Sequence, residues 1–382
     1  LGRILGAPFG KVGQLARTNA VRNPRRTSAT AFALTLGLLL VSIIGILGAS
    51  FKGTADAAVD TGVGASFIVS DSNQQALPAS IAEAISGTEG VGSVVAFGVV
   101  QAKYDGRFVT GQSAVGTGLG DLLHLPMLDG ASSEVPGDGI LVPETWARDK
   151  GWKRGEVLTF STIGGKDVHV RVAGVFEDNP LVQSWVIGAD AYRELVPASL
   201  RMTTMVLADP APGVAPDVLR ARLDAATADY LTVQVQDPEQ FKGTISSMID
   251  QMLAVLYSML GLALAIAILG IVNTLALSVV ERKREIGTLR AIGMLRAQVR
   301  RSIYLESVLI AVFGAVLGVG LGSVIGWALT RTLAKWGLGD PVMPWSLIGG
   351  TVLAAGLVGI LAALWPAVRA ARTKPLEAIA DL

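Results

Sequence analysis

The sequence contains no cysteine and only two histidines, His124 and His169. The first absence excludes disulfide staples and thiol chemistry, and the two together exclude a His-rich metal site. A phosphate-cradling loop is missing as well. Gly10-Lys11 is followed by Val12 and Gly165-Lys166 by Asp167, where a Gly-x-x-x-x-Gly-Lys-Ser/Thr run would need a hydroxyl residue. There is no Gly-x-Ser-x-Gly nucleophile elbow, and the carboxylates show no distinctive pairing. Charge is sparse: 16% of residues are Asp, Glu, Lys or Arg, against about 25% in soluble chains. These absences argue against an enzyme and point to a membrane protein.

What is present is apolar and comes in blocks. Ala29–Phe51, Met252–Val280, Ile303–Leu329 and Trp345–Trp365 each exceed the ~18–20 residues that a spanning helix needs. Cations cluster beside them. Residues 1–30 hold six Lys/Arg and no acid, and 281–301 holds seven Lys/Arg against Glu281 and Glu285. The tail 366–382 adds Arg369, Arg372 and Lys374, whereas residues 52–251 carry 14 Lys/Arg and 25 Asp/Glu. Short basic loops stay in the cytoplasm, so both termini and 281–301 are expected inside and the long insert outside. Topology accounts for the basic runs without a nucleic-acid partner. The first apolar block is too long for a signal peptide and reads as a retained anchor.

The expected organisation is therefore a polytopic α-helical membrane protein. It has four transmembrane helices and a large extracytoplasmic α+β domain between helices 1 and 2. Residues 1–28 form a cytoplasmic amphipathic approach helix, with Phe9, Val12, Leu15 and Ala16 among cations, interrupted at Asn23-Pro24. The spans are 29–51, 252–280, 302–329 and 345–365. The external domain is 52–251, the cytoplasmic segment 281–301, the short external loop 330–344 and the cytoplasmic tail 366–382.

In the insert, 65–70 and 91–104 read as strands, and Asp105-Gly106 and Gly164-Gly165 as hairpin turns. Helices are expected at 80–86, 144–150, 190–196 and 215–230, then a strand at 231–236. From the helix start at Asp237-Pro238-Glu239, nothing strongly stops the helix before Leu289. The second span alone would run roughly 43 Å against roughly 30 Å of hydrocarbon.

Gly314, Gly318, Gly322 and Gly326 recur every four residues in the third span, which lays a strip of bare backbone along one helix face for close helix packing. Asn273 and Glu306 are the polar oddities within the spans. Both lie near the cytoplasmic ends, where a headgroup-level position is cheap. In 281–299, Ile286, Leu289, Ile292, Leu295 and Val299 fall at steps of three and four, with Gly287 and Gly293 as punctuation. Spacing alone leaves two readings open: a helix snorkelling at the inner membrane surface, or a docking element with apolar knobs for a soluble partner.

The stretch ERKREIGTLRAIGMLRAQVRRSIYLES, running into a Gly-rich helix, resembles the FtsX-like (MacB-type) ABC transporter permease family. So do the tail WPAVRAARTKPLEAI and the approach LARTNAVRNPRRTSATAFALTLGLLLV. The resemblance implies four spans around one external domain, in a permease half like the C-terminal half of a duplicated ten-span bacterial protein. It further implies a cytoplasmic segment that contacts a separate ATPase. Glu281, Arg282, Arg284, Glu285, Gly287, Arg290 and Gly293 match the family's cytoplasmic motif, and Ile286 and Leu289 lie on the expected docking face.

The implied partners are a cytoplasmic ABC ATPase dimer, a second permease half, the lipid bilayer, and an envelope protein or lipoprotein. ATP and Mg would be bound by the ATPase, with no cofactor on this chain. The implied location is the bacterial cytoplasmic (inner) membrane. Export or extraction of lipoprotein, lipid or peptide is the leading reading. An ATP-driven regulator of a cell-wall hydrolase, or a membrane scaffold without ATP coupling, are the alternatives.

Overall fold

The computed structural model describes Gln14, Thr18 and residues 24–72, 75–130, 135–179, 181–334 and 337–372, with continuous side-chain detail from residue 31. Most of the approach segment 1–28 and the tail from residue 373 lie outside the described residues. The protein is a polytopic α-helical membrane protein: among the described residues four helices are long and apolar enough to cross a membrane, with an α+β domain inserted between the first and second. It divides into two compact units, Leu1–Phe51 with Ile249–Lys335 and Gly339–Leu382, and Lys52–Met248 with Trp336–Leu338.

The first unit holds the membrane helices. Helix α1 (Pro24–Gly62) begins at a proline, whose fixed φ suits a first helical turn. Among the described residues of this unit, the remaining helices are α7 (Pro238–Glu281), α8 (Lys283–Ala291), α9 (Arg296–Leu333) and α10 (Trp345–Ala371). Helix α9 starts inside the stretch expected to be a cytoplasmic segment, and its other end runs into the expected loop 330–344. Helix α10 continues six residues past Trp365, through Pro366. The missing proline N–H is tolerable in a spanning helix whose neighbours re-satisfy the freed backbone.

All four glycines of the α9 strip are buried against α1. A Cβ on Gly314 would come 3.0 Å from the Ala31 carbonyl oxygen. One on Gly318 would lie 2.5 Å from that of Thr35, and one on Gly322 2.5 Å from that of Leu39. Gly326 faces Ile46 and Ile43. The two backbones are close enough for the Thr35 hydroxyl to donate to the Gly314 carbonyl at 3.1 Å. On another face of α9 the contact with α10 is built the same way: Ser307 Oγ donates to the Gly359 carbonyl at 2.7 Å, and Ala311 packs on Gly359.

The second unit is built on one twisted sheet of eleven strands among its described residues, ordered β11-β1-β10-β3-β4-β9-β6-β8-β5, with β2 pairing β10 and β7 pairing β3 and β8. In chain order these are β1 (Phe67–Asp71), β2 (Leu77–Pro78), β3 (Val91–Tyr104), β4 (Arg107–Thr117), β5 (Met127–Asp129), β6 (Gly139–Pro143), β7 (Val157–Ser161), β8 (Asp167–Phe176), β9 (Val186–Ile187), β10 (Met202–Pro210) and β11 (Val233–Gln236). Helices α2 (Ala79–Ser86), α3 (Leu119–Leu122), α4 (Glu144–Lys150), α5 (Ala189–Leu195) and α6 (Pro216–Thr227) pack on it.

The long hairpin β3–β4 closes on Asp105 (φ 50°) and Gly106 (φ 72°), the left-handed pair that a two-residue turn demands. Three apolar cores form along the sheet. Ile81, Ile85, Leu219 and Leu223 bring α2 and α6 onto Val206 and Ala208 at one end. Phe97, Leu122, Phe176 and Leu207 form a core on the opposite face, since they alternate along the strands with the residues of the other two cores. At the other end Tyr104, Trp152, Phe160 and Trp185 form a chain of tilted and edge-on ring contacts, with the Trp152 indole donating to the Tyr104 hydroxyl at 2.8 Å.

Candidate functional site

The motif residues gather where α7, α8, α9 and α10 meet, all within the membrane unit. Helix α7 stops at Glu281 rather than running on to Leu289. The break is Arg282, at φ −99° and ψ 13°, in the sparsely populated bridge region. Lys283 restarts the chain as α8, with Glu285 in its first turn, where a carboxylate complements the helix dipole.

The end of α8 is a glycine stop. Gly293 has φ +110°; its N–H bonds to the Arg290 carbonyl at 3.1 Å, and the Met294 N–H reaches the Leu289 carbonyl at 3.0 Å. This paired pattern needs a left-handed residue, and glycine supplies it without strain. Gly287, by contrast, lies buried inside α8 and bends nothing. Helix α9 then starts with Leu295, whose N–H is capped by the Gln298 side chain at 2.9 Å.

Two side chains, Arg282 and Arg290, fix α8 in place. Arg282 reaches the Glu306 carboxylate of α9 at 3.4 Å and Glu285 at 3.3 Å. Arg290 donates to the Ala371 carbonyl at 3.4 Å, meeting one of the unsatisfied groups at the C-terminus of α10. Glu306 is buried rather than set at an exposed headgroup level, so a counter-charge offsets the cost of its charge. Asn273 sits on the outer face of α7, away from this cluster.

The apolar residues at steps of three and four do not share one face. Ile286 (7% exposed) and Val299 (3%) join a core with Leu275, Val279, Ile303 and Ala363. Leu289 is 38% exposed, Leu295 65% and Ile292 80%. On each side of the turn at Gly293 the pattern is mixed: Ile286 before it and Val299 after it pack inward, whereas Leu289 and Ile292 before it and Leu295 after it remain uncovered. Glu281, Lys283 and Arg284 are exposed on the same segment. Beneath α8 lies a cavity of about 40 Å³ bounded by Val279, Ile286, Leu289, Val299, Arg282 and Glu306, among others.

Among the described residues, no group of three or more His, Asp or Glu could hold a metal ion. In the α+β domain His169 shares a hydrogen bond with Thr159. Burial raises the Tyr192 hydroxyl above its usual range, which keeps it a neutral donor towards the Met202 carbonyl.

Residues 257–375 match the family model for the FtsX-like permease C-terminal domain. The ABC transporter permease YknZ of Bacillus subtilis is 32% identical over 146 residues, covering 38% of this chain and 36% of that protein. The macrolide export ATP-binding/permease protein MacB of Sodalis glossinidius is 37% identical over 123 residues, covering 31% and 18% respectively. The matched stretches thus span about a third or less of these relatives' own length. Among solved structures, the periplasmic region of MacB from Actinobacillus actinomycetemcomitans aligns with 48% of this chain and 94% of its own, at 14% identity and a TM-score of 0.36. Residues 257–375 of this chain are thus similar to the C-terminal domain of FtsX-like permeases, and the relatives that share this stretch are named as ABC transporter permeases or export proteins.

Proposed function

We propose that this chain is the permease subunit of an ABC transporter and that residues 281–301 receive a separate cytoplasmic ATPase dimer. ATP and Mg are bound by that partner, and its closure moves the α+β domain on the far side of the bacterial cytoplasmic membrane. The charge distribution supports this orientation, since the short basic segments flank the spans on one side and the acidic insert lies on the other. A second permease half, another copy or an upstream stretch of the same polypeptide, completes the assembly. Lipoprotein, lipid or peptide cargo handled outside the membrane suits such a machine.

The observation that carries the docking role is the split of the apolar residues. Ile286 anchors α8 from within, while Ile292 and Leu295 stand exposed beside Lys283 and Arg284. A short helix pinned on one side, with apolar knobs and cations on the other, suits a groove on a soluble partner. The test is Ile292→Asp and Leu295→Asp, with membrane insertion checked separately. A carboxylate pressed into an apolar groove costs several kcal/mol, so capture of the ATPase should weaken by about 100-fold or more. If both variants insert and still recruit a fully stimulated ATPase, α8 is a lipid-facing surface helix and the docking role is wrong.

A further inference from the structure

Arg282 is the one break between two helices, and it holds a carboxylate buried in a third. Its guanidinium lies 3.4 Å from Glu306 of α9 and 3.3 Å from Glu285 of α8. Glu306 is 8% exposed and sits one turn beyond Ser302 and Ile303, which line the cavity beneath α8 together with Ile286 and Leu289. So α8 rests on α9 through the apolar contact of Ile286 with the core of Val299 and Ile303 and through this ion pair, with a small void beside them. Close-packed interfaces resist displacement, whereas a void gives α8 room to shift at little steric cost. The ion pair is then the directional contact that ties the position of α8 to that of α9.

We infer that Arg282 and Glu306 are positioning residues that latch α8 to α9 and carry a displacement of α8 into the third span. This inference rests on the docking of an ATPase at 281–301 proposed above. The knobs that would meet the partner, Ile292 and Leu295, are separate from the latch, so binding and coupling are separable. Arg282→Gln would remove a counter-charge from the buried Glu306 carboxylate and endanger folding. Glu306→Gln is the more informative change, because Arg282 keeps Glu285 and the amide keeps the shape.

The experiment uses the full chain in nanodiscs with its ATPase, measuring the affinity for the ATPase and the ATP hydrolysis stimulated by the permease. Glu306→Gln is expected to bind the ATPase as the wild type does while losing stimulation by about tenfold, within the usual range of allosteric coupling. Glu306→Asp, which restores the charge, should recover most of it. Unchanged stimulation in Glu306→Gln, or loss of binding and stimulation together, would overturn the latch. A wild-type chain that recruits no ATPase would instead sink the docking proposal.

A second measurement guards against simple misfolding. The chain has no cysteine, so Leu289→Cys with Ser302→Cys places the only two thiols across the cavity. A reducible thiol-to-thiol crosslinker should suppress stimulation, and reductant should restore it. Equal hydrolysis before and after reduction of the crosslinked protein would also overturn the latch.

Discussion

Two glycines serve opposite neighbours in the two units. In the α+β domain Gly111 lies under the Trp185 ring, where a Cβ would run into the indole, so a bare backbone makes room for the largest side chain. In the membrane unit Gly318 lies against the Thr35 carbonyl, so a bare backbone makes room for another backbone. The domain core is correspondingly rich in fully buried Trp185, Phe97, Phe160 and Phe176, while the α9–α10 contact is made of Ala311, Ala363, Ala367 and Gly359. Water rewards burial of large apolar groups. Lipid is as apolar as leucine and gives no such reward between helices, so close approach and interhelical hydrogen bonds must hold them together.

That contrast can be broken at either end. The largest effect is expected from Gly318→Leu and Gly322→Leu. Each places a branched side chain where 2.5 Å separates the position of a Cβ from a carbonyl of α1, so α1 and α9 must part. Size-exclusion profiles in detergent should lose the monodisperse peak; if they keep it, the strip tolerates bulk and the helices are held by something else. Next is Trp185→Ala. Emptying a site of that size costs about 3–5 kcal/mol, read as a lower melting midpoint of the α+β domain with the spans still inserted. The smallest is Ser307→Ala, which removes the bond to the Gly359 carbonyl. Such bonds contribute about 0.6 kcal/mol between membrane helices. A loss several times larger would mean that polar contacts, more than close approach, hold α9 to α10.

Signals local in the chain translated well into structure. The Asp105-Gly106 turn, the strand Val91–Tyr104 and the helix Glu144–Lys150 depend on turn chemistry and periodicity within a few residues. The strip of four glycines was visible as a pattern, but its neighbour was not. Helix α1 lies some 280 residues earlier, and nothing in either segment names the other.

The coupling segment shows a second kind of limit. Ile286, Leu289, Ile292 and Leu295 keep a helical spacing across Gly293, yet the helix ends at Ala291 and a left-handed turn follows, so the four do not share one face. Periodicity assumes an unbroken helix, and only φ at Gly293 reveals that there are two. The break at Arg282 left no composition signal, and the partner its guanidinium meets, Glu306, lies in a later helix.

The hairpin β3–β4 has a consequence for how the α+β domain comes apart. Ala96 belongs to the core at one end of the sheet, Val100 and Ala102 to the core at the other end, and Phe97 to the core on the opposite face. A single strand therefore contributes to all three, and no core can open without loosening its neighbours. Hydrogen exchange should find the amides of Val95–Ala102 the slowest in the domain and released in one cooperative event. An applied pull on either end of the sheet would meet the resistance of the whole.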